Sequence, residues 1–209
     1  MENPEKSKKS YSEDDVGKAI DSLHNGPAGG RMLNAYMREF DIKPLDLEGK
    51  RVLDLGTSVS LGVARELKMR AIQADVVSFS PIFADPYLRT QAKIISGREG
   101  VGGAVAGMGE NLPFADKSFD CVLALHVFEY LKTSERKSAF LTEVARVLAP
   151  EGVAYIGPFF APQNFNPEGK EGLTQMAGES VTVLWQQPEW RRGADNASIM
   201  KLMKKDILP

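Results

Sequence analysis

The run Val52-Leu53-Asp54-Leu55-Gly56 constrains this chain more than any other stretch. An apolar segment carrying a single acid ends on glycine, and an amphipathic stretch, Val63 to Met69, follows within a few residues. Strand, tight turn and helix in that order make the first βα unit of a parallel α/β sheet. The ligand of such a sheet sits beyond the carboxyl ends of its strands, beside this first turn. Function is therefore to be sought at Gly56 to Ser60 and in the neighbouring loops.

The alternation continues along the chain. Ala71 to Phe79 reads as a second strand closed by Ser80-Pro81, Gly103 to Ala106 as a short third, Cys121 to Leu125 as a fourth, and Val153 to Gly157 as a fifth. Pro86 interrupts the segment Pro81 to Ile95, which reads as helical only in its later part. Thr133 or Ser134 is placed to cap a helix whose buried stripe is Phe140, Leu141, Val144, Val147 and Leu148, with Pro150-Glu151-Gly152 as its stop. Ahead of the first strand, Met32, Leu33, Tyr36, Met37 and Phe40 share one helical face, and a shorter helix is expected over Val16 to Leu23. Beyond Gly157, the Pro, Gly and Asn content of Pro158 to Gly178 reads as loop, Val181 to Trp185 as one strand and Ala197 to Lys205 as a final helix. On that reading the sheet is truncated at its C-terminal edge, and a second copy or a protein partner is expected to cover it.

Length and composition set outer bounds. The 209 residues, 43% of them hydrophobic, suit an N-terminal extension with helices over 1–49 and one α/β domain over 50–209. A net charge of -2 provides no general attraction for nucleic acid or an anionic membrane. No apolar run is long enough to span a bilayer and the start is polar, so the expected setting is the cytoplasm. Cys121, the single cysteine, lies in an apolar run and reads as a core thiol in a reducing compartment. Two histidines far apart and one cysteine make no metal-ligand set. Arg191-Arg192 beside Trp185 and Trp190 reads as a surface turn, and the lysines Lys6, Lys8 and Lys9 as a solvated tail.

Three phrases in order narrow the fold: Val52-Leu53-Asp54-Leu55-Gly56, then Gly109-Glu110-Asn111-Leu112-Pro113-Phe114-Ala115-Asp116-Lys117-Ser118-Phe119-Asp120, then Glu143-Val144-Ala145-Arg146-Val147-Leu148-Ala149-Pro150-Glu151-Gly152. Together they resemble the class I S-adenosylmethionine-dependent methyltransferases, in particular the small-molecule branch, over about Lys50 to Pro158. The resemblance implies a Rossmann-like, doubly wound, mostly parallel sheet and methyl transfer from S-adenosylmethionine to a small molecule. It implies that Asp54 helps to hold the amino group of the cofactor's methionine part, that Gly56, Thr57, Ser58 and Ser60 form the turn beneath it, and that Ser78 stands at the ribose position. Met108 with Gly109 and Glu110 then stands at the adenine. His126, at the end of the fourth strand, is the candidate general base, ahead of Glu129 and Tyr130.

The chain departs from the family pattern at three of these places. Ser58 and Ser60 replace glycines of the turn, Ser78 replaces the acid that grips the ribose hydroxyls, and Met108 replaces the acid near the adenine amino group. A hydrogen bond to a charged group contributes about 1.5–3 kcal/mol. Two lost carboxylates thus amount to on the order of a hundredfold in affinity. The alternative function is accordingly a methyltransferase-like domain kept as a catalytically inactive binding or scaffolding subunit.

Overall fold

Each apolar run of the sequence ends up hydrogen-bonded to another in a single seven-stranded sheet. The computed structural model describes residues 32–159, 169–187 and 197–205. Its strands are β1 (Arg51–Leu55), β2 (Asp75–Ser80), β3 (Ala104–Ala106), β4 (Phe119–Leu125), β5 (Leu148–Phe159), β6 (Val181–Gln186) and β7 (Ser198–Lys204). Its α-helices are α1 (Leu33–Phe40), α2 (Gly62–Met69), α3 (Pro86–Glu99), α4 (Ser134–Val147) and α5 (Gly169–Ala177), with 3₁₀ turns at Pro44–Leu47, Pro81–Ala84 and Phe128–Tyr130. The strand order is β3-β2-β1-β4-β5-β7-β6. β1 pairs in parallel with β2 and β4, β2 with β3, and β4 with β5, while β7 runs antiparallel to both β5 and β6.

Period-two alternation sorts the side chains of the central strands into two cores. Leu53, Leu55, Val122 and Ala124 pack with Phe140, Leu141 and Val144 of α4 and Leu173 of α5. Val52, Cys121 and Leu123 pack on the opposite face with Leu33, Tyr36 and Phe40 of α1 and with Val63 and Leu67 of α2. The segment ahead of β1 therefore shares the sheet's own core. A third cluster, Leu61, Ile82, Phe83 and Ala92, lies under the loops at the carboxyl end of β1 and β2. Burial pushes the Cys121 thiol up to about 12, which keeps it protonated as a core residue.

Several boundaries differ from the sequence expectations, each for a physical reason. Ala197 to Lys205 holds a strand in place of the expected helix. β7 sits between β5 and β6, so Ile199 is buried against one face and Met200 and Leu202 against the other. A strand covered on both faces loses the alternation that would tell it from a buried helix. The sheet is consequently not truncated: β6 and β7 form an antiparallel hairpin that pairs the edge of β5. That removes the unpaired edge on which a dimer or a covering partner was expected. α5 occupies part of the segment expected as loop, its Leu173 and Ala177 buried four residues apart. Pro86 begins α3 instead of interrupting it: proline stands at the first helical position, and Asp85 Oδ1 accepts from the Leu88 N–H at 2.9 Å. The expected helix over Val16 to Leu23, the tail lysines and His24 lie outside the described residues, as do Trp190, Arg191 and Arg192.

Two of the three phrases are joined by one side chain. Arg146 of α4 donates to Glu143 Oε1 and Oε2 at 2.7 and 2.8 Å, to the Leu112 carbonyl at 3.0 Å, to the Phe114 carbonyl at 2.8 Å and to Asp116 Oδ1 at 2.7 Å. Glu143 Oε2 in turn accepts from the Leu112 N–H at 2.7 Å. This planar fork clamps the loop from Leu112 to Asp116 onto α4, which needs guanidinium geometry and not merely a positive charge. The Arg146 hydrogen bonds hold the Glu143 carboxyl below the usual carboxylate range. A depressed carboxyl contributes stability above its unfolded pKa and loses it as the pH falls through its folded one. Arg146→Met should cost about 3 kcal/mol in urea denaturation at neutral pH. The gap between variant and parent should narrow as the buffer is taken into the acid range.

Candidate active site

At the carboxyl end of β1 the chain turns at Gly56, whose φ of +76° is a left-handed conformation that glycine adopts without strain. Its N–H donates to the Phe79 carbonyl at 2.8 Å, tying the turn to β2. Thr57 and Ser58 are buried, and the Ser58 and Ser60 hydroxyls lie 2.6 Å apart in a mutual hydrogen bond. Neither serine has a positive φ; the left-handed residue that follows Gly56 in this loop is Leu61, at φ +50°. Leu61 is fully buried against Ile82, Phe83 and Ala92, and that packing offsets its backbone cost of about 1–2 kcal/mol. The serines are thus compatible with the turn's backbone, and what they change is the room and polarity above it.

Asp54 is 1% exposed, and its Oδ1 accepts a 2.6 Å hydrogen bond from the hydroxyl of Tyr36 in α1. Ser78 is its register partner on β2 and is fully buried. Because β2 continues to Ser80, Ser78 lies two residues inside the strand, not at the tip where the ribose position was expected. Its hydroxyl is enclosed without a hydrogen-bond partner among the described residues. Asp75, the acid of this strand, stands at its amino end beside Arg51, remote from the ligand edge.

Met108, Gly109 and Glu110 follow β3. Gly109 backs directly onto Phe140 of α4, and an added Cβ would stand 2.6 Å from the ring. Gly107 backs onto Phe79 in the same way. Glu110 Oε1 accepts from Arg136 Nε at 2.6 Å, which engages that carboxylate with α4. Met108 is half-buried, and its carbonyl accepts from the Asn111 N–H at 3.0 Å.

His126 follows β4, the strand beside β1, so its loop and the Gly56 turn open at the same edge of the sheet. It has a φ of +55°, and its N–H donates to the Gly157 carbonyl at 2.7 Å. Its Nδ1 lies 3.4 Å from Glu129 Oε1, and both side chains are about one-third exposed. The sequence ranks Glu129 behind His126 as a base; the 3₁₀ turn Phe128–Tyr130 brings it back onto the imidazole. A row of rings was missed altogether. Phe140 and Phe128 have centroids 6.0 Å apart, Phe128 and Phe159 5.0 Å, and Phe159 and Trp185 5.3 Å. Four separate elements supply them, so no local motif announces the row. A groove of about 650 Å³ along α4, lined by Glu110, Ser138, Thr142, Glu143 and Met176 among others, shares only Glu110 with these residues. Among the described residues no His, Cys, Asp and Glu cluster could hold a metal ion, and no helix is long and apolar enough to cross a membrane.

With this geometry in place, the chain compares with known proteins as follows. Residues 53–156 match the family model described as a methyltransferase domain. The chain belongs to the class I S-adenosylmethionine-dependent methyltransferase family. Demethylmenaquinone methyltransferase of Corynebacterium glutamicum is 29% identical over 181 residues, 84% of this chain and 71% of that protein. A 42-residue stretch is 45% identical to probable tRNA methyltransferase 9B of Mus musculus, which takes in 20% of this chain and only 9% of that protein. The crystal structure of a TehB-like SAM-dependent methyltransferase from Corynebacterium glutamicum superimposes with a TM-score of 0.60 at 16% identity, over 92% of this chain and 97% of that one. That last likeness is one of fold.

The contact between Gly109 and Phe140 is specific enough to test. Gly109→Ala should destabilise this methyltransferase fold by about 1–3 kcal/mol through overpacking, read as a lowered midpoint in chemical denaturation. Adding Phe140→Leu should recover part of that loss.

Proposed function

We propose that this chain transfers a methyl group from S-adenosylmethionine to a small-molecule acceptor. The observation that carries the reading is the acid-glycine turn at the end of β1, placed beside the His126 loop at the end of neighbouring β4. The residues fit the cofactor best at its methionine end. Asp54 supplies a carboxylate for the amino group, Gly56 a turn that admits close approach, and Thr57, Ser58 and Ser60 hydroxyls beside it. At the nucleoside end, Met108 and Gly109 line the loop after β3, and Glu110 is the nearby polar group. The carboxylate of Glu110 is already paired with Arg136.

Bound in this cleft, the cofactor supplies an electrophilic methyl group on a positively charged sulfur. The chain's part is to align an acceptor with it and, where the acceptor carries a proton, to remove that proton. His126 is the base in this reading, with Glu129 orienting the imidazole. Demethylmenaquinone, the substrate in the name of the Corynebacterium relative, is the first acceptor to try.

Calorimetric titration with S-adenosylmethionine and S-adenosylhomocysteine tests the cofactor reading. We expect saturable binding, weaker by on the order of a hundredfold than a site with both carboxylates would give. A folded protein that binds neither ligand up to millimolar concentration overturns it. With an acceptor in hand, His126→Ala should lower kcat by about a hundredfold or more and leave cofactor affinity unchanged. An unaltered kcat would remove His126 from the chemistry.

A further inference from the structure

Tyr36 is fully buried in α1, and its ring lies 5.9 Å from Phe40 on the same helix. Phe40 is buried in the same core without any hydroxyl. The phenol is therefore not explained by packing, since burying its O–H is unfavourable unless an acceptor is provided. The acceptor is Asp54, 18 residues on, at the short distance of 2.6 Å characteristic of a charge-assisted bond. Ser78, on the strand next to Asp54 and at its register position, adds an enclosed hydroxyl with no partner among the described residues. Tyr36, Asp54 and Ser78 thus place three buried polar groups inside an apolar layer, Asp54 standing two residues before the Gly56 turn.

We propose that Tyr36 is a positioning residue for the cofactor, acting through Asp54 on a ligand's primary ammonium group. The proposal rests on the reading that Asp54 holds the amino group of the methionine part. Tyr36 lies ahead of the 53–156 family match, so it assigns α1 a part in the site and not only in the core. The donated hydrogen bond fixes the plane of the carboxylate relative to the turn. Without it, the carboxylate rotates and meets the ammonium less often in a productive geometry.

The test is calorimetric titration of the full chain with S-adenosylhomocysteine and with its desamino analogue, which lacks only the α-amino group. Tyr36→Phe should weaken S-adenosylhomocysteine about tenfold, the size of one hydrogen bond to a charged group, and leave the analogue's affinity unchanged. In an Asp54→Asn background, Tyr36→Phe should have no further effect on either ligand. Equal weakening of both ligands would mark a merely structural role, and no weakening of either would show that the phenol is irrelevant to binding; both overturn the proposal. If Asp54→Asn leaves S-adenosylhomocysteine affinity intact, the assignment of Asp54 itself fails and the proposal falls with it. Thermal unfolding of each variant confirms that the protein titrated is folded.

Discussion

Parallel pairing of β1 with both β2 and β4 governs everything at the candidate site. The chain winds outward from β1 in one direction through β2 and β3, and in the other through β4 and β5. The order reverses at β1, so the loops after β1 and β4 diverge to opposite faces and leave a crevice between them. The Gly56 turn enters from one side and the His126 loop from the other. Neither loop could face the other if the strands were antiparallel, because one of the two would then emerge at the opposite edge. The apolar register Val52–Cys121 and Leu53–Val122 is thus what brings a turn and a histidine together across about 70 residues of chain.

The phrases that reveal the family are largely devices of folding. Arg146 and Glu143 of the last phrase grip the Leu112 to Asp116 loop of the middle one through backbone carbonyls, a backbone N–H and Asp116. Gly107 and Gly109 are needed because aromatic rings approach their backbones. Such residues can stay in place while the contacts to a ligand change, since their partners are within the protein. This separation explains how a chain can carry clear family phrases and still depart from the family at Ser58, Ser60, Ser78 and Met108.

Sequence pattern reveals an element well when only one of its faces is buried. α4 and α1 were legible from their stripes, and β1 from its apolar run ending on glycine. β7 was not, because both of its faces are buried at Ile199 and Met200, and Ile199, Met200, Leu202 and Met203 fall at spacings that also suit a helix. Among the candidate site residues, Asp54, Gly56 and His126 stand out in the sequence because each lies at or just beyond the end of an apolar run. Their partners do not. Tyr36 reaches Asp54 from a helix of a different segment, and Glu129 reaches His126 only because a 3₁₀ turn reverses the chain. The depth of Ser78 was equally hidden, since it depends on β2 running two residues further, to Ser80.

The serine substitutions change meaning once the turn is seen. Glycine serves a loop in two separable ways, by admitting positive φ and by leaving room for a ligand. Here the left-handed residues are Gly56 and Leu61, the latter held by the cluster around Ile82 and Phe83, and Ser58 and Ser60 need no left-handed backbone. The remaining effect is one of space and polarity: two Cβ atoms narrow the approach, and two hydroxyls already bonded to each other can exchange that bond for one to a ligand. Such an exchange costs little, because a neutral hydroxyl pair contributes only about 1 kcal/mol and a charged ligand group returns more. Two hydroxyls in this turn are therefore compatible both with its backbone and with a polar ligand group above it.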